Sequence, residues 1–523
     1  MPLLLPIAVI LFSIFPLTDT DIWWHLACAR EWVTTWTPVR MPVVNVHEYF
    51  QLVVGFVYSL GGAPLLVAFK AILWGTVFAL FGCRAWQSLV AVVLLFIFRY
   101  HFEIRPVLFS LLFLGIYWNI LPRIFEDCRS DSRKGAVTAS FECEACHCEP
   151  RRGAAISRCC FVALILAIQW LWCKFQGLYI LGPLFALLVL FAKIWNSRKG
   201  GEKLSPKAVA WRVAFVLALF AMPFLHREGL NLFLYPFGLL DRLLGLTPSA
   251  AIFASEIAEN RSPITLLLAG ENVLESVLMI ALCMMGIFAG LHCLRHSGAT
   301  KGSEATSRNH LGIQCAALLV TSVLALVAER NFVLLLPELL GIKNDHDHFS
   351  FKHLGSKFYN LLEIPRLRNS VAPLRMPRSC FFLLPVFFLL GLWVRSLSAY
   401  DFSMVAYQRV PVDAANWMQK HPHSGRLFND DRAGGYLAFV NPDDSTYIDG
   451  RFILKTAEFF ENYLAYAAYP ERFLSDADSL NMDRAIFPLR YYARWETLLQ
   501  SLEKDSRWHP VYRDEYFVVF DKH

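Results

Sequence analysis

Charge is what this sequence has least of. Only 18% of its 523 residues are Asp, Glu, Lys or Arg, where a soluble domain has about 25%. The apolar residues gather in runs of roughly 17 to 20 separated by short polar loops, which excludes a string of ordinary soluble domains and points to repeated membrane spans. Also missing are a Walker loop, a Gly-x-Ser-x-Gly elbow and a His-Glu-x-x-His helix. Those absences argue against a nucleotide-driven pump, a serine hydrolase and a zincin. No cysteine follows Cys380, and most of the 13 lie inside apolar runs or in one loop. An extracellular disulfide framework is therefore not expected. The N-terminal run lacks a basic leading region and a small-residue cleavage site, so it reads as a retained helix.

Hydrophobic residues make up 56% and aromatic residues 15%, with a mean hydropathy of +0.42. Candidate spans fall at 1–17, 64–82, 86–102, 105–122, 159–175, 177–194, 209–225, 273–293, 311–328, 331–342 and 379–397. The run 331–342 is short and interrupted by Pro337, so it is expected to be broken or re-entrant with protein packed around it. The loops 123–158, 194–208, 294–310 and 343–378 hold most of the Lys and Arg. With about eleven spans they share one side with the N-terminus, which the positive-inside rule makes cytoplasmic. The loops 18–63 and 226–272, and everything after about 398, then face outward.

The expected architecture is thus a polytopic α-helical membrane protein, residues 1–397, with a Cys-rich cytoplasmic insertion at about 123–158 and a small extracytoplasmic α/β domain over 398–523. In that last segment VDAANWMQKH and ARWETLLQSLEKD read as helices, GRLFND and STYIDGR as strands, and VYRDEYFVVFDK as a hairpin. No tandem repeat is evident.

The stretch TDTDIWWHL, Thr18 to Leu26, follows the first apolar run directly. Ile22 to Trp36 reads as an amphipathic helix along the membrane interface, its tryptophans fitting the aromatic belt. His25 lies one turn beyond Asp21 and can face the same point. A carboxylate here suits a general base on an acceptor hydroxyl, or a ligand holding a divalent cation against a phosphate. The same residues also suit a helix N-cap. Ionisable residues collect at other outward span ends: Glu48, Arg105, Glu259, Arg261 and the pair Glu329-Arg330. They fit either snorkelling anchors or, if they converge, a phosphate headgroup site. Cys143, Cys146, His147 and Cys148 form half of a zinc pattern whose second half is absent. In the tail, Asn429, Asp430, Asp431, Gly434-Gly435 and Asp449-Gly450-Arg451 suit a ligand site at strand ends or plain turn chemistry.

The order of these pieces resembles a family of multi-spanning bacterial membrane proteins with the GT-C glycosyltransferase architecture. The residues that carry the likeness are Asp19, Asp21, Trp23, Trp24, His25 and Leu26, then His47-Glu48-Tyr49, Arg105-Pro106, Arg330-Asn331, Phe428-Asn429, Gly434 to Leu437 and Asp449 to Arg451. The chain departs from the family pattern at Trp172 to Gly177, which lacks an Asn and a His, and at Tyr235 to Gly238. The resemblance implies transfer of a sugar from a polyprenyl-phosphate-linked donor to a glycan, lipid or protein acceptor at the outer face of the plasma (inner) membrane. Asp19 and Asp21 would be catalytic or metal-binding, with Mg or Mn as the cation. His25, Glu48, Arg105, Glu259, Arg330, Asp449 and Arg451 would bind substrate. Membrane lipid is an expected partner and nucleic acid is not. The alternatives are a non-catalytic lipid or glycan transporter and a membrane-anchored assembly protein.

Overall fold

The computed structural model describes residues 4–82, 88–125, 150–199, 205–296, 304–341, 378–398, 400–490 and 493–523. The zinc-like cysteine pattern at 143–148 lies outside the described residues. The chain opens with α1 (Leu4–Phe12) and α2 (Asp21–Arg30), then the long α3 (Glu48–Leu80), α4 (Ser88–Ile97) and α5 (Pro106–Phe125). Inside α3 the backbone leaves helical geometry at Gly61 and Gly62, where Gly62 takes φ 63°. With Pro64 two residues on, this gives the helix a break its sequence specifies. Pro106 opens α5 at the position where proline's missing N–H does no harm.

Among the described residues five helices are long and apolar enough to cross a membrane: Glu48–Leu80, Pro106–Phe125, Gly177–Trp195, Pro206–Leu225 and Val273–Leu291. The pair Gly229–Leu244 and Pro248–Glu256, bent by 67°, makes a sixth if it is one broken span. Further apolar runs fall on the helices Pro150–Trp172, Glu304–Val327 and Arg378–Leu397, of 23, 24 and 20 residues, so the count of five holds for the described residues. The helix Phe332–Gly341 is buried along all its residues, Pro337 included. That is the setting an interrupted apolar segment requires.

Residues 426–522 build a four-stranded sheet in the order β1-β2-β4-β3, from β1 (Arg426–Asn429), β2 (Met482–Pro488), β3 (Trp508–Arg513) and β4 (Phe517–Lys522). β1 and β2 are parallel, with Phe428 opposite Ala485, so a crossover must join them. The helices Asp431–Val440, Ala457–Ala468 and Pro470–Ser479 supply it. β4 pairs antiparallel with β2 and with β3. Two expectations are corrected here. The YIDGR segment is irregular backbone instead of a strand, and the missing parallel strand is MDRAIFP, whose charged start hides its alternation. One continuous hydrophobic core runs from Leu5 and Phe12 through Trp23, Trp74 and Leu108 to Leu437 and Val519. The tail sheet adds a second, aromatic core around Phe428, Tyr463, Phe487, Trp495 and Trp508.

His423 staples this sheet region to the following loop, its Nδ1 2.5 Å from Asp483 and its Nε2 3.0 Å from Asp444. Burial opposes the imidazolium, but the two carboxylates prevail and raise its pKa above the ordinary histidine value. The pair's contribution to stability is therefore full below about pH 6.5 and is lost as the pH rises through the raised folded value. His423→Asn is expected to lower the melting temperature at pH 6, with the gap to wild type narrowing by pH 9. A gap that widens with pH would contradict the assignment.

Candidate active site

Residues 13–20 connect α1 to α2 and are pinned where the Leu17 N–H donates to the Met404 carbonyl at 2.9 Å. Two residues later Asp19 meets Arg105, which stands just ahead of α5. Arg105 Nε donates to Oδ2 at 2.8 Å and Nη2 to Oδ1 at 3.1 Å, a two-point clasp that fixes both groups in orientation. The third nitrogen, Nη1, donates to Glu259 Oε2 at 2.7 Å. Next in sequence, Asn260 accepts from Arg330 Nη1 at 2.6 Å. Asp19, Arg105 and Glu259, drawn from distant parts of the chain, thus stand in one network, with Arg330 held next to it through Asn260.

Asp19 also accepts from the Asp21 backbone N–H at 3.2 Å, while Thr20, the N-cap residue of α2, makes no side-chain cap bond. Asp19 therefore helps start the helix and binds the guanidinium together. Asp21 keeps a little exposure yet lies deep among its neighbours. Burial, and then the charge on Asp19, raise its pKa well above the usual carboxylate range; Arg105 offsets part of this. Glu259 goes the other way: burial works against ionisation, but Arg105 outweighs it and holds the carboxyl at about 2. The site thus contains one carboxylate kept ionised and one kept ready to hold a proton, which is the division of labour acid–base chemistry uses.

Behind Asp19 lie two groups the sequence reading passed over. Glu103 accepts from the Thr18 hydroxyl and lies 3.9 Å from Lys70 Nζ. Lys70 is fully buried, donates to the Phe15 carbonyl at 3.2 Å and sits 3.4 Å from the Phe15 ring centroid. A single lysine inside an apolar run was the available signal, because such residues must pair.

The tail closes over α2. A Cβ on Gly435 would lie 3.1 Å from the Thr20 carbonyl and 3.2 Å from the Trp24 nitrogen, so the two backbones approach as closely as a glycine allows. Gly450 takes φ +83°, and a Cβ there would lie 2.9 Å from Asp21 Oδ1. Arg451 pairs with Asp449 and donates to the Val33 carbonyl at 2.8 Å; both side chains are buried. Trp23 meets Tyr436 edge-on at 4.8 Å. The interfacial reading of α2 is thereby corrected: Trp23 is 1% and Trp24 8% exposed, because the tail and α3 cover faces the sequence seemed to offer to lipid. Gly450→Ala combines a strained backbone, on the order of 1–3 kcal/mol, with a methyl group against Asp21. It is expected to lower the melting temperature by several degrees; an unchanged melt would remove the close approach as a constraint.

His25 lies beneath Trp24, with ring centroids 3.5 Å apart, and faces Phe50 at 4.7 Å and His47 at 5.3 Å. Burial holds it neutral, its pKa well below the ordinary value. Glu48 lies apart from the Asp19 network, 2.9 Å from Lys174, which also pairs with Glu228 at 2.5 Å. Lys174 belongs to the element at which the chain departs from the family pattern. Among the described residues one group has three side-chain atoms placed to hold a metal ion, all within 4.8 Å of one another: His101, Glu275 and Glu329.

No protein-family model matches the sequence, and no curated protein matches it. Two solved structures of the Archaeoglobus fulgidus oligosaccharyltransferase are similar in fold. The apo form aligns at 11% identity and a TM-score of 0.50, over 94% of this chain and 71% of that one. The form tethered by a disulfide bond to an acceptor peptide containing the NVT sequon aligns at 12% identity and 0.50, over 99% and 74%. Identities this low speak to fold alone. With its five or six membrane-length helices, the chain has a helical, GT-C-like membrane fold.

Proposed function

We propose that this chain is a membrane glycosyltransferase that moves a sugar from a polyprenyl-phosphate-linked donor to an acceptor hydroxyl at the extracytoplasmic face. The observation that carries the reading is Asp21: a carboxyl raised toward neutrality, set beside the Asp19–Arg105–Glu259 network. The fold shared with an oligosaccharyltransferase supports the reaction class. The side assignment rests on the clustering of Lys and Arg in the other loops.

In this reading Asp21, ionised, takes the proton of the acceptor hydroxyl as its oxygen bonds to the anomeric carbon. The bond from that carbon to the donor phosphate breaks, and polyprenyl phosphate leaves with the electron pair. Asp19 holds Arg105, whose remaining positive field and the exposed guanidinium of Arg330 favour the leaving phosphate. Glu259 fixes Arg105 from the other side. His25 packs α2 against Phe50, and Glu48 belongs to the neighbouring Lys174 cluster. Asp449 and Arg451 hold the tail on α2 and so aim Asp21. No step is routed through a cation at Asp19 and Asp21, because Arg105 already takes both oxygens of Asp19.

The test measures transfer of a radiolabelled hexose or pentose from synthetic polyprenyl phosphate-linked donors to membrane acceptors, using purified protein in nanodiscs. Asp21→Asn should lower transfer by about 10²-fold or more while the protein stays monodisperse. Equal tolerance of Asp19→Asn and Asp21→Asn would sink the catalytic reading and leave a transporter or assembly protein. Arg330→Gln should raise the donor KM about tenfold with a smaller change in kcat, as expected when a charge-assisted contact of about 1.4 kcal/mol to bound phosphate is lost. An unchanged KM would remove Arg330 from the phosphate site.

A further inference from the structure

We infer that His101, Glu275 and Glu329 form a binding site for a divalent cation of the manganese or zinc class, separate from the first-loop carboxylates. The three side chains come from three elements: the 3-10 turn Arg99–His101 ahead of α5, the first turn of the helix Val273–His296, and the 3-10 turn Glu329–Asn331. Their ligand atoms all lie within 4.8 Å of one another, with His101 Nε2 4.0 Å from Glu275 Oε2. That separation is too long for a hydrogen bond. It is close to what two ligands of one ion need, since metal–ligand distances of about 2.0–2.2 Å set neighbouring ligands roughly 3–3.5 Å apart. A closure of about 1 Å at each long edge brings the three ligands to coordination distances, with water filling the remaining positions.

The local chemistry favours an ion over an internal ion pair. Among the described residues none hydrogen-bonds the side chains of Glu275, Glu329 or His101. Of the cations that act on the two carboxylates, Arg261 is engaged by Glu271 and Arg105 by Asp19 and Glu259, while Arg99 lies near Glu275 without a hydrogen bond to it. Two carboxylates thus face one imidazole without a bound partner. One nitrogen and two oxygens select borderline divalent ions over magnesium or calcium, which take all-oxygen shells. A groove of about 380 Å³, lined by Phe96, Arg99, Asn272 and Glu275 among others, opens at one ligand. Of the three ligands only Glu275 lines it, so solvent reaches the cluster from that side.

The claim does not rest on the transferase reading, and its test needs no substrate. Chelator-stripped protein in nanodiscs is titrated with Mn²⁺ followed by electron paramagnetic resonance, and with Zn²⁺ followed by metal analysis after gel filtration. Wild type should bind about one equivalent of either ion. His101→Ala and Glu275→Gln should each weaken binding at least tenfold, while Asp19→Asn leaves the affinity unchanged. Melting curves with and without ion separate the outcomes: a folded His101→Ala that has lost its ion-dependent stabilisation supports the site. Should His101→Ala misfold, the near-isosteric Glu275→Gln carries the test. Wild type that binds neither ion at ten times a micromolar protein concentration overturns the proposal. So does binding that survives both variants but is lost in Asp19→Asn.

Discussion

Asp21→Asn is expected to reduce sugar transfer by about 10²–10⁴-fold, the range a positioned general base contributes, while leaving the protein at least as stable as wild type. Both halves follow from the same burial. A carboxyl whose folded pKa is raised above its unfolded value stabilises the fold only while protonated. That contribution is complete below about pH 4 and is lost as the pH rises through the raised folded value. Asn mimics the protonated form at every pH, so the variant should melt no lower than wild type at pH 8. A variant that loses transfer because it unfolds would do the reverse, and the melting curve separates the two. The wild-type rate should climb on an acid limb displaced above the ordinary carboxylate range, because the base must be ionised to act. A rate flat from pH 5 to 8 would mean that Asp21 does not carry the proton.

The second large effect is on stability. Arg451 is 6% and Asp449 2% exposed, and the guanidinium also donates to the Val33 carbonyl beyond the end of α2. Arg451→Met leaves a buried carboxylate without its partner, a change that destabilises by about 3–5 kcal/mol. The double variant Asp449→Asn/Arg451→Met removes both charges and should recover a good part of that loss. Thermal melting in detergent reads both. If the single variant melts within a degree of wild type, the pair is not what holds the tail on α2. If the double variant falls further than the single, the loss comes from packing and not from an orphaned charge.

Much of the frame was readable from residues alone because membranes and turns impose local rules. The apolar runs mark helices, Pro106 marks where one begins, and the hairpin at Trp508 to Lys522 shows in its alternation, whereas the helix that starts at Glu48 lies in a stretch expected to be an outward loop up to residue 63. Of the ionisable residues at the ends of apolar runs, Asp19, Arg105 and Glu259 meet in space, and Arg330 is held by Asn260 beside them. What stayed hidden depends on contacts between distant segments. Nothing in TDTDIWWHL says that its tryptophans will be covered by a helix four hundred residues later, so an interfacial belt was the natural expectation. Nothing in the Asp-Gly-Arg turn says that its glycine will rest against Asp21. His101, Glu275 and Glu329 are each unremarkable in sequence, and only the packing of two short turns against a helix start places their ligand atoms together. Lys70 and Glu103 were legible in principle, since a lone lysine in an apolar run demands a partner.

The Arg451–Val33 bond joins residues 418 apart in the chain, and this has a consequence for how the protein is made. At about 5–20 residues per second, synthesis separates the two halves of the clamp by roughly 20–80 s. Through that interval the first-loop carboxylates are already delivered to the membrane, but the backbone that positions Asp21 does not yet exist. A ribosome that stalls before Asp449 therefore leaves a chain with its helices and its acidic groups but without the piece that aims them. On the proposed reading, the site is complete only once the Asp449–Arg451 segment has been made, so copies that stop short of it do not transfer sugar.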